Sequence, residues 1–399
     1  MIRQSRRPRR RVMVHLILSG AVVFGPSSVV ASATELTNAE LADGWIQLFD
    51  GETLFGWQHG SAADWQVADG AIRVTSGDPG LLCTTSPFGD FVLRVDFRAD
   101  RQTNSGIFLR TTRQPKDPAR DCYELNIAAP EWTPFPTGSF VGRQKGEPSR
   151  ESSDWRTYEV TTVGGHFRVW LDGQQVLDYT DPSPLPRGHI GLQLNRGKVE
   201  FRNVKLKPLS LAPIFNGRDL NGWHVFPGKK SEFSVTREGE LHVTNGNGQL
   251  ESEGQYADFV LQCEVFSNGR HLNSGIFFRS IRGEFWQGYE SQIHNGFHGT
   301  DRANPIDFGT GGFYRRQKAR RVVADDFQWF HKTLVVAEDH MATWVNGYQV
   351  SDWTDTRAAN PNPREGLRRE AGTILIQGHD PSTDLRFRNF RVAELPKVR

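Results

Sequence analysis

The chain has 399 residues and a formal net charge of +2, with eleven tryptophans, forty glycines and three cysteines. That length accommodates two domains with sizeable cores, and the near-neutral balance gives no bias toward nucleic acid or acidic partners. An aromatic-rich, glycine-rich, methionine-poor composition suits short strands joined by tight turns, with tryptophan faces fit for core packing or for stacking on sugars.

The first residues read as a targeting segment. Arg3, Arg6, Arg7, Arg9, Arg10 and Arg11 form a basic n-region, Val12 to Phe24 an apolar run, and Ala31-Ser32-Ala33 a small-x-small cleavage pattern. This is the layout of a secretory signal peptide over 1–33, with an apolar run too short for a stable anchor. The expectation is cleavage after Ala33 and export, periplasmic or secreted. No integral membrane span is expected afterwards, because no later run is apolar enough.

The rest of the chain repeats itself. Phe49-Asp50-Gly51 returns as Phe215-Asn216-Gly217, and Asn104-Ser105-Gly106-Ile107-Phe108 as Asn273-Ser274-Gly275-Ile276-Phe277. Val169-Trp170-Leu171-Asp172-Gly173 returns as Thr343-Trp344-Val345-Asn346-Gly347, and Val199 to Val204 as Leu385 to Phe390. The order is kept, and the spacing is that of a whole domain rather than a solenoid unit. Copy one spans 41–209 and copy two 211–395. The junction, Lys207 to Pro213, carries two prolines and is stiff, so the copies should touch.

Strand signals dominate both copies. Phe91 to Phe97 and Phe259 to Phe266 alternate with period two, as half-buried strands do. Asp172-Gly173 and Asn346-Gly347 sit between alternating runs and predict type I′ hairpins, because Asx-Gly tolerates positive φ at both central positions. Amphipathic helices are absent. The fold class is therefore all-β, each copy an antiparallel two-sheet sandwich or jelly roll, with one sheet face open to a saccharide. The three cysteines make a poor disulfide framework. Cys263 lies opposite Val95 of the first copy and reads as buried apolar, while Cys83 and Cys122 have no spacing that demands pairing. The basic run Tyr314 to Arg321 reads as a solvated loop with Asp325 and Asp326 as local partners, rather than a nucleic-acid patch.

Two segments look too polar for core. In Tyr289 to His294, strand periodicity puts Glu290, Gln292 and His294 on one face; copy one offers Glu124 and Asn126. In Ile374 to Asp380, aligning Gln377 with Gln193 puts His379 opposite Asn195. Imidazole can take or give a proton near neutral pH and asparagine cannot, so copy one looks deficient in acid–base chemistry. His294, His298 and Asp301 are residue types of a metal cluster, although a passage from strand into loop is not tetrahedral-site spacing. Arg388 and Arg202 match each other, which suits a shared ion pair or a shared sugar contact. Asn104 and Asn273, beside Gly106 and Gly275, suit packing or sugar contact alike.

These residues resemble the 3-keto-glucoside lyase/hydratase domain, also known as the 3-keto-disaccharide hydrolase domain. The resemblance rests on Phe215, Gly217, Gly222 and Trp223, on Asn-Ser-Gly-Ile-Phe, Tyr289 to Ile293, the Asn-Gly hairpin, Gln-Gly-His-Asp-Pro and Phe-Arg-Asn, and it covers nearly all of both copies. It implies a concanavalin-A-like β-sandwich acting on an oxidised (3-keto) saccharide or glycoside, with a divalent metal ion as an allowed helper. The implied reaction is removal of the C2 proton, loss of the C1 aglycone by β-elimination, and hydration. In it His379 is base or ligand and Glu290 a ligand or second acid–base group. Asn273, Arg279, Gln292, Gln377, Asp380 and Arg388 hold substrate, with Asn104, Glu124, Gln193, Asn195 and Arg202 as first-copy counterparts. The rival of another class is a non-catalytic tandem lectin, which would keep both sites alike. An ordinary glycosidase would carry an acidic strand motif that is missing here.

Overall fold

Local sequence chemistry delivers the hairpins. Asp172 and Gly173 take φ of 53° and 82°, and Asn346 and Gly347 take 48° and 74°, the left-handed values a type I′ turn requires. Each turn also secures the neighbouring strand: Asp172 accepts from the Thr157 N–H at 2.8 Å, and Asn346 from the His331 N–H at 3.0 Å. The computed structural model describes Met1 and residues 35–149 and 152–397; the expected signal peptide lies outside them.

Both copies are antiparallel β-sandwiches of one topology. In the first, an eight-stranded sheet faces a five-stranded sheet formed by Trp57–His59, Gly80–Thr84, His189–Leu194, Asn104–Thr111 and Tyr123–Ala128, in that spatial order. In the second, an eight-stranded sheet faces Trp223–Val225, Gly248–Tyr256, Gly372–Gly378, Ser274–Ser280 and Tyr289–Ile293. Register confirms the alignment of the copies, since Leu192 pairs with Ile107 as Ile376 pairs with Ile276. Among the described residues the one α-helix is Asn38–Ala42, closed by a Thr37/Glu40 capping box. No helix among them is long and apolar enough to cross a membrane.

The two sandwiches touch through an apolar layer and through polar ties. Val260, Val335, Ala337, Ala342 and Trp344 of the second copy pack into the hydrophobic cluster of the first. Trp344 donates its indole N–H to the Gln47 carbonyl at 2.8 Å, and Arg187 pairs with Asp258 at 2.6 Å. The basic run contributes here: Arg320 pairs with Asp50 across the interface at 2.8 Å. Its expected local partners are occupied otherwise, Asp325 by Arg302 and Asp326 by the His271 N–H and Asn295. All three cysteines are free and buried, and Cys83 and Cys122 sit with Leu81 and Phe108 in a small apolar cluster.

Candidate functional site

The face of the second five-stranded sheet turned away from the core carries the polar residues. Tyr289 and Ile293 point into the core cluster, so the alternation sends Glu290 and Gln292 outward. Ile376 and Ile374 do the same on Gly372–Gly378, one strand further along the sheet beyond Ser274–Ser280, which sends Gln377 outward. Register then lays Gln249, Gln377, Gly275 and Gln292 side by side in one row. Glu290 lies in the next row and folds over Gly275, where a Cβ would meet Glu290 Oε1 at 2.7 Å. A glycine there makes room for the carboxylate.

Three loops ring this face. The first brings Trp286, whose indole stacks on the His379 ring at 6.0 Å and 3°. The second brings Asp307, which accepts from Asn273 Nδ2 at 2.6 Å and Gln292 Nε2 at 2.8 Å. The third, residues 355–371, brings Arg364, which donates to Glu290 Oε2 at 3.0 Å and to the Trp286 carbonyl at 3.1 Å. Burial pushes the Glu290 carboxyl above its usual range, against which Arg364 and then His379 favour the charged form. His379 Nδ1 faces Asp380 Oδ2 at 2.9 Å, which leaves Nε2 open as a proton acceptor in the tautomer that this contact selects. Asp380 is itself fixed by Ser382; burial works against its charge, but hydrogen bonds from Ser382 and His379 hold it below the usual carboxylate range.

The amide oxygens of Asn273, Gln292 and Gln377 are buried and have no protein partner. Buried acceptors left unmatched are costly. Three of them at one carboxylate-bearing face form a surface that awaits donors, and hydroxyl groups are donors.

The structure gathers Glu290, Gln292, Asn273, Gln377, His379 and Asp380 and leaves other expected residues elsewhere. Arg279 is wholly buried, donating to the carbonyls of Ala257, Glu338 and Arg368 and to Asp258. With these donors taken up by the protein it ties loops together, as Arg110 does in copy one through Gly89, Gly164, Leu185 and Asp90. Arg388 stands on the eight-stranded sheet, bound to Glu264 at 2.6 Å and lying over Trp329 at 4.0 Å. Arg202 repeats this with Asp96 and Trp155, so the two copies share the ion pair. His294 is buried and takes a hydrogen bond from the Gly296 N–H, whereas His298 and Asp301 are exposed in the following loop. The three do not converge. Among the described residues no three His, Cys, Asp or Glu side chains are grouped to hold a metal ion.

In copy one the same face is depleted. Leu81 and Cys83 stand where copy two has Gln249 and Glu251. Asn126, opposite Gln292, turns its amide onto the backbone of Phe135 and Ile127, and Asn195 is exposed. Glu124 and Gln193 still flank Gly106. The connection that carries Arg364 is about twice as long as its first-copy equivalent, residues 181–188. Without such an arginine, burial lifts Glu124 to about 7. Arg364, Trp286 and Asp307 were missed by sequence reasoning; the extra length between the hairpin and Gly372 was the available signal for the first.

A duplicated antiparallel jelly-roll sandwich, with one elaborated and one depleted face, is the class that fold and site define. A family model for the 3-keto-alpha-glucoside-1,2-lyase-like domain matches residues 44–207 and again 211–393, and the chain belongs to that family. It is 25% identical over 252 residues to a 3-keto-disaccharide hydrolase of Bacteroides thetaiotaomicron, covering 47% of this chain and 87% of that protein. A solved structure from Parabacteroides distasonis aligns at 22% identity over 44% of this chain and 99% of its own, with a TM-score of 0.40. A carbohydrate-binding module of Bacillus subtilis aligns at 18% identity over 38% and 95%, with a TM-score of 0.32.

Proposed function

We propose that this is an exported carbohydrate-active enzyme that cleaves 3-keto-glucosides at the outward face of its second sandwich. A C3 ketone acidifies the C2 proton. His379 Nε2, backed by Asp380, removes it, and the electron pair moves into an enediolate. Arg364 supplies the positive charge beside the enolate oxygen. Collapse of the enediolate forms a C1–C2 double bond and breaks the bond from C1 to the aglycone. Glu290, lifted by burial, delivers the proton that the departing oxygen takes up. Water then adds across the double bond, with hydroxide at C1 and a proton at C2, so the net result is hydrolysis. Asn273, Gln292 and Gln377 accept from sugar hydroxyls, and Trp286 offers a flat face beside His379.

The observation that carries this reading is the convergence of Glu290, His379 and the three unmatched amide oxygens on one face, in a chain of this family. Purified protein incubated with an aryl 3-keto-glucoside and with its unoxidised parent tests it. Aglycone release from the keto form alone supports the reading, and equal cleavage of both overturns it. First-sandwich capture of substrate fits the carboxylate and amide that its face retains.

A further inference from the structure

Lys332 is the most unexpected side chain in the second core. Its strand, Trp329–Ala337, turns Phe330, Leu334 and Val336 into the hydrophobic cluster between the sheets, and Lys332 follows the same alternation. It is 1% exposed. Its Nζ crosses the sandwich and donates to the carbonyls of Ser291 and Gln292, each at 2.9 Å. Those carbonyls belong to the strand that displays Glu290 and Gln292 on its other side.

Copy one solves the same problem without a charge. Register pairs Lys332 with Cys263 and Tyr158 with Val95, so Tyr158 is the counterpart. Its hydroxyl donates to the Asn126 carbonyl at 2.8 Å, the equivalent of the Gln292 carbonyl. A neutral phenol is enough to brace the strand. An amine at the same place costs desolvation that a brace alone does not require. The ionisable groups that face Lys332 are Cys263 on its neighbouring strand and Glu290 across the sandwich, and the thiol is held neutral by burial. Of the two, Glu290 is the carboxylate that favours the ammonium, whereas Arg364 and His379 are the cations that bear most on Glu290 itself.

We propose that Lys332 is a positioning residue of the second site, fixing the Tyr289–Ile293 strand from beneath while placing a positive charge behind the Glu290 carboxylate. This rests on the functional reading only for its catalytic consequence; the coupling of the two groups stands apart from it. Burial brings Lys332 down to about 7, with Cys263 and Glu290 opposing that shift, so the ammonium is present below neutrality and fades above it.

The test uses the full chain with side-chain NMR labels on Glu and Lys. Lys332→Tyr installs the first copy's solution and Lys332→Met removes the charge at similar volume. In either variant Glu290 should titrate at higher pH than in the wild type, and, because Glu290 acts in its protonated form, the alkaline limb of the kcat profile on a 3-keto-glucoside should move to higher pH with KM changed less than about threefold. Glu290→Gln gives the reciprocal arm and keeps the core intact: Lys332 should then lose its proton at lower pH. If neither group moves when the other is changed, the proposal is wrong, whatever the activity does. If the coupling is found in a protein that leaves 3-keto-glucosides intact, the functional reading fails and Lys332's electrostatic role remains. A Lys332→Tyr protein with the wild-type kcat and pH profile would reduce Lys332 to a brace and overturn the proposal.

Discussion

Removing Arg364 should reveal how much of Glu290's charge depends on one loop. In wild type the guanidinium donates to Glu290 Oε2 at 3.0 Å and lies 4.8 Å from the centre of the Phe277 ring. Arg364→Ala leaves a carboxylate whose side chain is only 4% exposed. Stripping one partner from a buried pair costs about 3–5 kcal/mol. The Arg364 side chain is 26% exposed and Glu290 can escape by taking a proton, so about 2 kcal/mol is the reasonable loss at pH 8, or about 5 °C for a domain of this size. Glu290 should move further up, toward the behaviour of Glu124, which burial without an arginine already lifts to about 7. A carboxyl raised on folding stabilises the native state below its unfolded value of 4.5 and loses that contribution as pH rises through the folded value. The difference between variant and wild type should therefore be small near pH 4.5, grow with pH, and level off above neutrality. Thermal unfolding across pH 4.5 to 8 checks this. An equal loss at both ends would mean that Arg364 contributes packing alone and would refute the electrostatic reasoning.

Three further outcomes are expected. His379→Asn, which copies the first sandwich, should lower kcat on a 3-keto-glucoside by about a hundredfold or more with little change in KM, whereas Asn195→Ala should keep much of the activity; steady-state kinetics on both decides. Arg279→Met and Arg110→Met should each cost about 3 kcal/mol or more, because each leaves three carbonyls and an aspartate facing an apolar chain; unfolding midpoints measure this, and a loss confined to catalysis would speak against the structural role. The three cysteines should resist a thiol reagent in the native protein and react in denaturant, since burial raises Cys83, Cys122 and Cys263 each to about 12; a colorimetric thiol count reads both states.

The duplication made the fold legible. Two copies of each hairpin and strand motif gave independent readings, and Asx-Gly turns carry their own backbone requirement. Part of the site was legible for the same reason: period-two alternation separates Glu290 and Gln292 from Tyr289 and Ile293. Arg279 misled because a strand arginine that binds carbonyls looks, in sequence, like one that binds hydroxyls. Its equivalence to Arg110 was the clue, since a residue identical in both copies more readily serves the shared fold. Arg388 misled likewise, being on the other sheet. Lys332 was invisible because a lysine in an apolar strand reads as a solvated edge until the opposite sheet is placed. Trp286, Asp307 and Arg364 reach the face from loops whose course no local pattern dictates; Trp286 and Asp307 even hold left-handed φ of 57° and 45°.

The measurement that bears most directly on the account is the fate of the C2 hydrogen. A 3-keto-glucoside cleaved by the enzyme in deuterium oxide should yield 3-keto-glucose carrying one deuterium at C2 at early times, seen by mass spectrometry and NMR. Elimination removes the original proton and hydration returns one from solvent. Aglycone release with the C2 hydrogen retained would mean direct displacement at C1 and would contradict the proposed role of His379.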